Sequence, residues 1–175
     1  MQNIEFKSEL RDIEAARAQC RSLGAERIGV LEQTDQYFRL TDGRLKRREA
    51  PGEPIEWIYY HRPQHVRPRM CNYSILTEEQ AHRRWGTASL KTWIIVRKSR
   101  ELWMLDNVRI HLDEVAELGR FLEFEAIVSQ EHDVKACHEA IDRLRDAFRP
   151  VLGEPIGVGY VDLLAQEQTA DPSAS

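Results

Sequence analysis

The chain has 175 residues, 42% of them hydrophobic, enough for one domain with a real core. A formal net charge of −4 and a pI near 5.9 argue against a nucleic-acid surface, which carries a basic excess. Three cysteines without a CxxC pair fit a reducing compartment better than a disulfide framework or structural zinc, and no apolar run approaches the roughly 20 residues that span a bilayer, so the expected location is cytoplasmic, with no nucleic-acid or membrane partner.

Residues 2–10 read as a strand and 11–23 as a helix, with Ile13, Ala16, Cys20 and Leu23 on one face and Gly24 as its stop. A long strand is expected over 25–40. Thr41-Asp42-Gly43 has hairpin-turn chemistry, and Arg44–Glu49 is the return arm. Pro51-Gly52-Glu53-Pro54 breaks the chain before a strand over 55–62, and Pro63 and Pro68 confine the next one to about 69–76. Thr77 and Gln80 form a capping-box pattern for a short helix that Gly86 ends. Strands are then expected over 93–100, 101–106, 108–113 and 121–128, with Asp106-Asn107 as a hairpin turn. From Glu131 to Phe148 the apolar residues Val134, Cys137, Ile141, Leu144 and Phe148 recur at helical spacing, and Pro150 stops that helix. Residues 160–164 are apolar enough to dock, whereas 165–175 are small and polar and read as a disordered tail. A single domain over 1–164 follows.

Within these strands charge alternates with a period of two: Glu5/Lys7, Arg44/Lys46/Arg48, Lys98/Arg100, Arg109/His111/Asp113 and Glu123/Glu125, with Arg62 on its own strand. Successive strand side chains point to opposite faces, so each set shares a face, and Ile4/Phe6, Ile94/Val96 and Leu122/Phe124 anchor the chain nearby. One such strand is ordinary. Several of them, basic in the middle of the chain and acidic at its ends, describe a barrel with a charged interior for a polyanion and a metal.

Glu123 and Glu125 place two carboxylates on one strand face, joined by Asp113 if its strand is adjacent, and carboxylate oxygens hold hard cations such as Mg²⁺ beside phosphates. Taken alone, two glutamates are most simply a solvated face. The basic sets carry more weight, because forked arginine donors and compact lysine charges match phosphate oxygens and the pattern spans several strands. No zinc spacing, Walker loop, GxSxG or GxGxxG is present. His111 shares a face with the acidic set, where a hydrogen-bonding role is the simpler use.

Asn3-Ile4-Glu5-Phe6-Lys7 resembles the ExExK signature of the CYTH superfamily, the triphosphate tunnel proteins that include class IV adenylyl cyclases and thiamine triphosphatases. The resemblance continues through residues 35–38, 43–49, 59–63, 96–100, 108–115 and 118–125, and Tyr160-Val161-Asp162-Leu163-Leu164 is similar to the closing segment of cyclase-like members. It implies an α+β fold, an eight-stranded antiparallel β tunnel with helices packed outside. It also implies Mg²⁺ or Mn²⁺ at Glu5, Asp113, Glu123 and Glu125, and a triphosphate path along Lys7, Lys46, Arg48, Arg62, Lys98, Arg100 and Arg109, with Glu5, Lys7, Lys46 and Arg48 nearest the reaction. The implied substrate is ATP, tripolyphosphate or thiamine triphosphate, and a homodimer is compatible with the family.

The chain departs from ExExK at Asn3, whose amide brings an oxygen but no charge and so weakens attraction for a second cation. The resemblance ranks a class IV adenylyl cyclase reaction first, ATP to cyclic AMP and pyrophosphate, since its nucleophile is part of the substrate. Hydrolysis of tripolyphosphate, thiamine triphosphate or a nucleoside triphosphate is the alternative. Asn3 also leaves room for a non-catalytic polyphosphate- or nucleotide-binding module.

Overall fold

The computed structural model describes residues 1–61 and 63–170 of the chain. Among them, nine strands and four α-helices follow in the order β1 (Gln2–Leu10), α1 (Ile13–Ser22), β2 (Glu26–Arg39), β3 (Arg44–Glu49), β4 (Glu56–His61), β5 (Arg69–Leu76), α2 (Glu78–Trp85), β6 (Thr92–Leu105), β7 (Val108–Val115), β8 (Gly119–Ile127), α3 (Val134–Ala147), β9 (Leu152–Pro155) and α4 (Tyr160–Ala170). Strands β5-β4-β3-β2-β6-β7-β8-β1 are antiparallel neighbours in that order, and β5 pairs back onto β1, which closes an eight-stranded barrel. Short β9 adds to the far end of β1, with Leu152 opposite Leu10. None of these helices is long and apolar enough to cross a membrane.

Local chemistry sets the element ends. The Asp12 carboxylate accepts from the Ala15 amide at 3.0 Å and caps α1, and Asp133 caps α3 through Ala136 at 2.8 Å. Thr77 and Gln80 form the expected capping box on α2, and Gly86, at φ +58, ends it in the left-handed conformation that glycine adopts at little cost. Asp106, at φ +53, makes the tight β6–β7 turn, leaving Leu105 opposite Val108.

Alternation sorts the barrel wall into an apolar outside and a charged inside. Ile4, Phe6, Ile110, Leu112, Leu122 and Phe124 point outward and pack with Ile141 and Phe148 under the helices. Phe124 and Phe148 meet edge to face at 5.3 Å, both fully buried. Burying each such side chain contributes roughly 1.5–3 kcal/mol, which holds the wall rigid while its other face carries charge. A second cluster fills one end of the barrel: Tyr160, Val161 and Leu164 of α4 pack with Ile94, Val96, Val115 and Phe121. That end is the tunnel floor.

Two expectations change, and one strand was not anticipated. Residues 93–100 and 101–106 form one continuous strand, because Glu101 marks no break: it is buried on the outer face, where Arg17, Arg27 and the Trp103 indole N–H hold it. Residues 165–170, assigned to a disordered tail, continue α4, whose first turns are anchored in the floor; 171–175 lie outside the described residues. Strand β9 has no periodic signal in its four residues and exists because β1 offers it a free length of backbone.

Candidate functional site: a charged tunnel

The inward faces enclose a cavity of about 660 Å³ lined by Asn3, Glu5 and Lys7 of β1, Lys46 and Arg48 of β3, Lys98 and Arg100 of β6, Arg109 and His111 of β7, and Glu123 and Glu125 of β8. These are the period-two sets, gathered because antiparallel neighbours place same-parity residues side by side: Lys7 with Glu123, Glu5 with Glu125, Arg109 with Glu125.

One side of the tunnel is cationic and centres on Asp35. Its carboxylate, completely buried, accepts from Lys46 and Lys98 at 2.9 Å each and from both Arg48 Nε and Nη2 at 2.7 Å. Burial works to raise the Asp35 pKa, but Arg48, Lys46 and Lys98 together hold it well below the usual carboxylate range. Three cations on one anion leave an excess of positive charge. Burial and the neighbouring arginines push Lys98 down to about 7 despite Asp35, and burial and Arg48 push Lys46 down to about 8. The cluster has one carboxylate for three cations, and Lys46, Arg48 and Lys98 all border the cavity.

Beside it, Arg100 forks onto Asp113, Nε to Oδ1 at 2.8 Å and Nη2 to Oδ2 at 2.6 Å, and the Tyr160 hydroxyl donates to the same Oδ2 at 2.7 Å. Against the effect of burial, Arg100 lowers the Asp113 pKa to about 2. Tyr160 reaches this pair from α4 and offers its ring face to Lys7, whose Nζ lies 4.0 Å from the ring centroid. The floor helix is thus tied to the charge network.

The opposite side is acidic. Nitrogen of His111 and carboxylate oxygens of Glu123 and Glu125 lie within 4.8 Å of one another. Lys7 pairs with Glu123 at 2.8 Å, and Arg109 stands 3.6 Å from Glu125. Burial raises Glu123, but Lys7 and the His111 contact outweigh it and hold its pKa low, whereas burial and the charge of Glu123 raise Glu125. Burial and Arg100 push His111 down to about 4, so its imidazole is neutral at neutral pH. Its buried Nδ1 has no hydrogen-bond partner and lies 3.6 Å from Glu123 Oε1. An orphaned imidazole nitrogen beside two carboxylates fits a divalent cation. Glu5 is opposite Glu125 in register and 3.3 Å from Arg69, and the buried Asn3 Oδ1 also lacks a hydrogen-bond partner.

Ten of the predicted positions are therefore brought to one tunnel: Glu5, Lys7, Lys46, Arg48, Lys98, Arg100, Arg109, Glu123 and Glu125 line it, and Asp113 sits behind Arg100. Within the expected metal set, Asp113 stands apart from the glutamates. It shares the parity of His111 but pairs with Phe121 rather than with a glutamate, one step nearer the floor, and its oxygens serve Arg100 and Tyr160. His111 takes the position beside the glutamates. Arg62 lies outside the described residues. Sequence reasoning missed Asp35, although the hairpin at Gly43 carried the signal: pairing back from that turn puts Asp35 opposite Arg48. It also missed Arg69 and the role of Tyr160, which arrive from elements with no charge periodicity.

The family model for the CYTH domain matches residues 1–149. No curated protein matches the chain. Among solved structures, a Pyrococcus horikoshii protein is 24% identical with a TM-score of 0.71, over 92% of this chain and 98% of that one. A candidate adenylate cyclase from Vibrio parahaemolyticus is 17% identical with a TM-score of 0.72, over 93% and 97%. A Hippeastrum candidate adenylyl cyclase, reported with a dominant triphosphatase activity, is 11% identical with a TM-score of 0.64, over 94% and 96%. At these identities the likeness is one of fold.

Proposed function

Since the chain belongs to the CYTH domain family, whose model covers residues 1–149, we propose that it is a metal-dependent enzyme acting on a triphosphate, and that its reaction is the cyclisation of ATP to cyclic AMP and pyrophosphate. The observation that carries the triphosphate reading is the Asp35 cluster, in which Lys46, Arg48 and Lys98 share a single carboxylate inside the tunnel. Each lysine has three donors and gives one to Asp35, so the remaining donors are available to phosphate oxygens. An anionic chain there supplies the countercharge that the folded protein lacks.

His111, Glu123 and Glu125 would hold Mg²⁺ or Mn²⁺, with Glu5 on the adjoining strand. A cation at that cluster supplies charge neutralisation at phosphoryl oxygens when bound. The chain's own residues orient the substrate: Lys46, Arg48 and Lys98 grip the phosphates, and Arg100 is kept in place by Asp113 and Tyr160. Tyr160 of α4 borders the same cavity and ties that end of it to the Arg100–Asp113 pair. In cyclisation the 3′ hydroxyl oxygen bonds to the α-phosphorus as the bond to the pyrophosphate oxygen breaks, and the hydroxyl proton leaves to pyrophosphate or solvent, so positioning and electrostatics supply most of the rate.

Asn3 favours this reading over hydrolysis. With an amide where the family signature has an acid, the site has one negative charge fewer for a second cation that would serve an attacking water. Phosphorus NMR on the protein with ATP and with tripolyphosphate, in Mg²⁺ and then in Mn²⁺, tests both levels. Cyclic AMP with pyrophosphate is the expected product. Orthophosphate from either compound would replace the cyclase reading with a triphosphatase, and line broadening without turnover would reduce the protein to a binding module.

A further inference from the structure

The outer wall of the barrel carries a second polar cluster, on the face away from the tunnel. Along β4, Ile58 and Tyr60 line the cavity, so Tyr59 and His61 point outward, where Tyr59 packs with Trp85 of α2. Their polar ends meet: the Tyr59 hydroxyl oxygen lies 2.6 Å from His61 Nε2. On the other side of the imidazole, Asp42 of the β2–β3 turn places its Oδ1 3.6 Å from His61 Nδ1. A carboxylate, an imidazole and a hydroxyl thus stand in line, the arrangement in which an oriented base draws the proton from a nucleophile.

The turn is shaped around this pair. Gly43, at φ +72, follows Asp42 and falls one step beyond the Arg44–Tyr60 register pair, opposite His61. A Cβ there would stand 2.7 Å from the Tyr59 ring and 2.9 Å from His61 Nε2, so a side chain at this position would force the two apart. The Asp42 carboxylate favours the imidazole proton on Nδ1, which leaves Nε2 to accept from the phenol. The Asp42 carbonyl oxygen, 3.5 Å from the same hydroxyl, is the longer alternative acceptor. Trp85 flanks the phenol with ring centroids 5.2 Å apart, and the Arg84 guanidinium lies 4.8 Å from the centre of the Tyr59 ring. The side chains of His61 and Asp42 are 44% and 82% exposed, so a reagent reaches the cluster from solvent.

We propose that Tyr59 is a nucleophile, activated by His61 and oriented through Asp42, that accepts an acyl group from an activated ester or thioester at the outer wall of the barrel. The phenol oxygen forms its bond to the carbonyl carbon while its proton passes to His61 Nε2. The bond from that carbon to the leaving oxygen or sulfur then breaks, and the leaving group takes the proton from His61. The imidazole returns to its neutral form, and the products are an O-acyl tyrosine and a free alcohol or thiol. Arg84 adds a nearby positive charge for the carbonyl oxygen, which turns anionic as the carbon is attacked. Trp85 offers an apolar surface on which an aromatic donor rests. The β3–β4 wall separates this chemistry from the tunnel, so it is independent of the triphosphate reading.

The test is acetylation of the full chain by p-nitrophenyl acetate at neutral pH, read as nitrophenol release and by peptide mapping. Tyr73 is half-buried like Tyr59 and serves as the control for exposure, since Tyr37, Tyr60 and Tyr160 are buried. One acetyl group is expected, on Tyr59, and none at that position in Tyr59→Phe, which keeps the ring packing. His61→Gln keeps a hydrogen-bonding partner for the phenol but removes the base, and should slow the labelling about a hundredfold. Asp42→Asn should give a smaller loss. Both residues are exposed, so the variants are expected to fold, and their Tm values check it. Labelling of Tyr59 no faster than of Tyr73, acetyl retained on His61 in place of Tyr59, or full-rate labelling of folded His61→Gln would overturn the proposal.

Discussion

Arg100 and Asp113 face each other across the β6–β7 ladder as a two-pronged, fully buried pair, 2.8 and 2.6 Å apart. Both Asp113 oxygens are engaged by the guanidinium that borders the tunnel, which gives the carboxylate an anchoring role distinct from the proposed cation site. Asp113→Asn removes the countercharge of a buried arginine, which costs about 3–5 kcal/mol when the partner charge stays behind. The expected result is a clear fall in Tm with Mn²⁺ affinity near that of the wild type. Loss of Mn²⁺ binding at unchanged Tm would return Asp113 to the metal set.

Glu125→Gln should have the opposite signature. Burial and the charge of Glu123 make an ionised Glu125 costly without a cation, so a neutral near-isostere keeps or raises the Tm of the metal-free protein. The same variant should lose the stabilisation that a bound ion provides, about 2.7 kcal/mol at a hundredfold excess over Kd, together with turnover. An undiminished Mn²⁺-induced Tm shift would remove Glu125 from the site. Because His111 contributes nitrogen, Mn²⁺ should bind the wild type more tightly than Mg²⁺.

Arg48→Ala reduces the cations on Asp35 from three to two and removes a forked donor. Affinity for tripolyphosphate should fall more than affinity for orthophosphate, since the longer anion draws on the whole cluster. Parallel losses measured by calorimetry would argue that the cluster grips a single phosphate.

Lys98 sets a pH dependence whose sign follows from its pKa of about 7 in the folded protein, below the ordinary lysine value of 10.5. Between these two values the unfolded chain binds more protons, so the stability of the unliganded protein rises with pH through that window and is lowest below pH 7, where the buried amine is charged in both states. A triphosphate raises the amine's pKa, so binding at pH 8 should take up protons, and affinity should decline as pH climbs above 7. Calorimetry at pH 8 in two buffers of different ionisation enthalpy reads the uptake directly. A zero proton balance would show that the lysines are already charged in the empty tunnel.

The period of two distinguishes the inside of this barrel from its outside: Glu5 and Lys7 against Ile4 and Phe6, or Glu123 and Glu125 against Leu122 and Phe124. Alternation is a property of the extended chain itself and survives whatever the strand pairs with. Partnership does not share that independence. Asp113 and His111 lie on one face of one strand, and their different duties come from the register of β8, which sets Glu123 beside His111 and Phe121 beside Asp113. Glu101, charged and in a strand, faces outward into a cage of Arg17, Arg27 and Trp103, so its charge alone could not reveal which surface it serves.

The strand faces, the α2 capping box and the motifs that mark the CYTH domain are legible in the chain alone, since they are local and travel with consecutive residues. Tertiary contacts settle which cation meets which carboxylate, that Asp35 carries three of them, and that Tyr160 of α4 donates to Asp113. Each of those facts depends on barrel closure, which joins residues far apart in the chain. In a buried setting, charge pairing is fixed by distances of a few ångströms that no local pattern encodes.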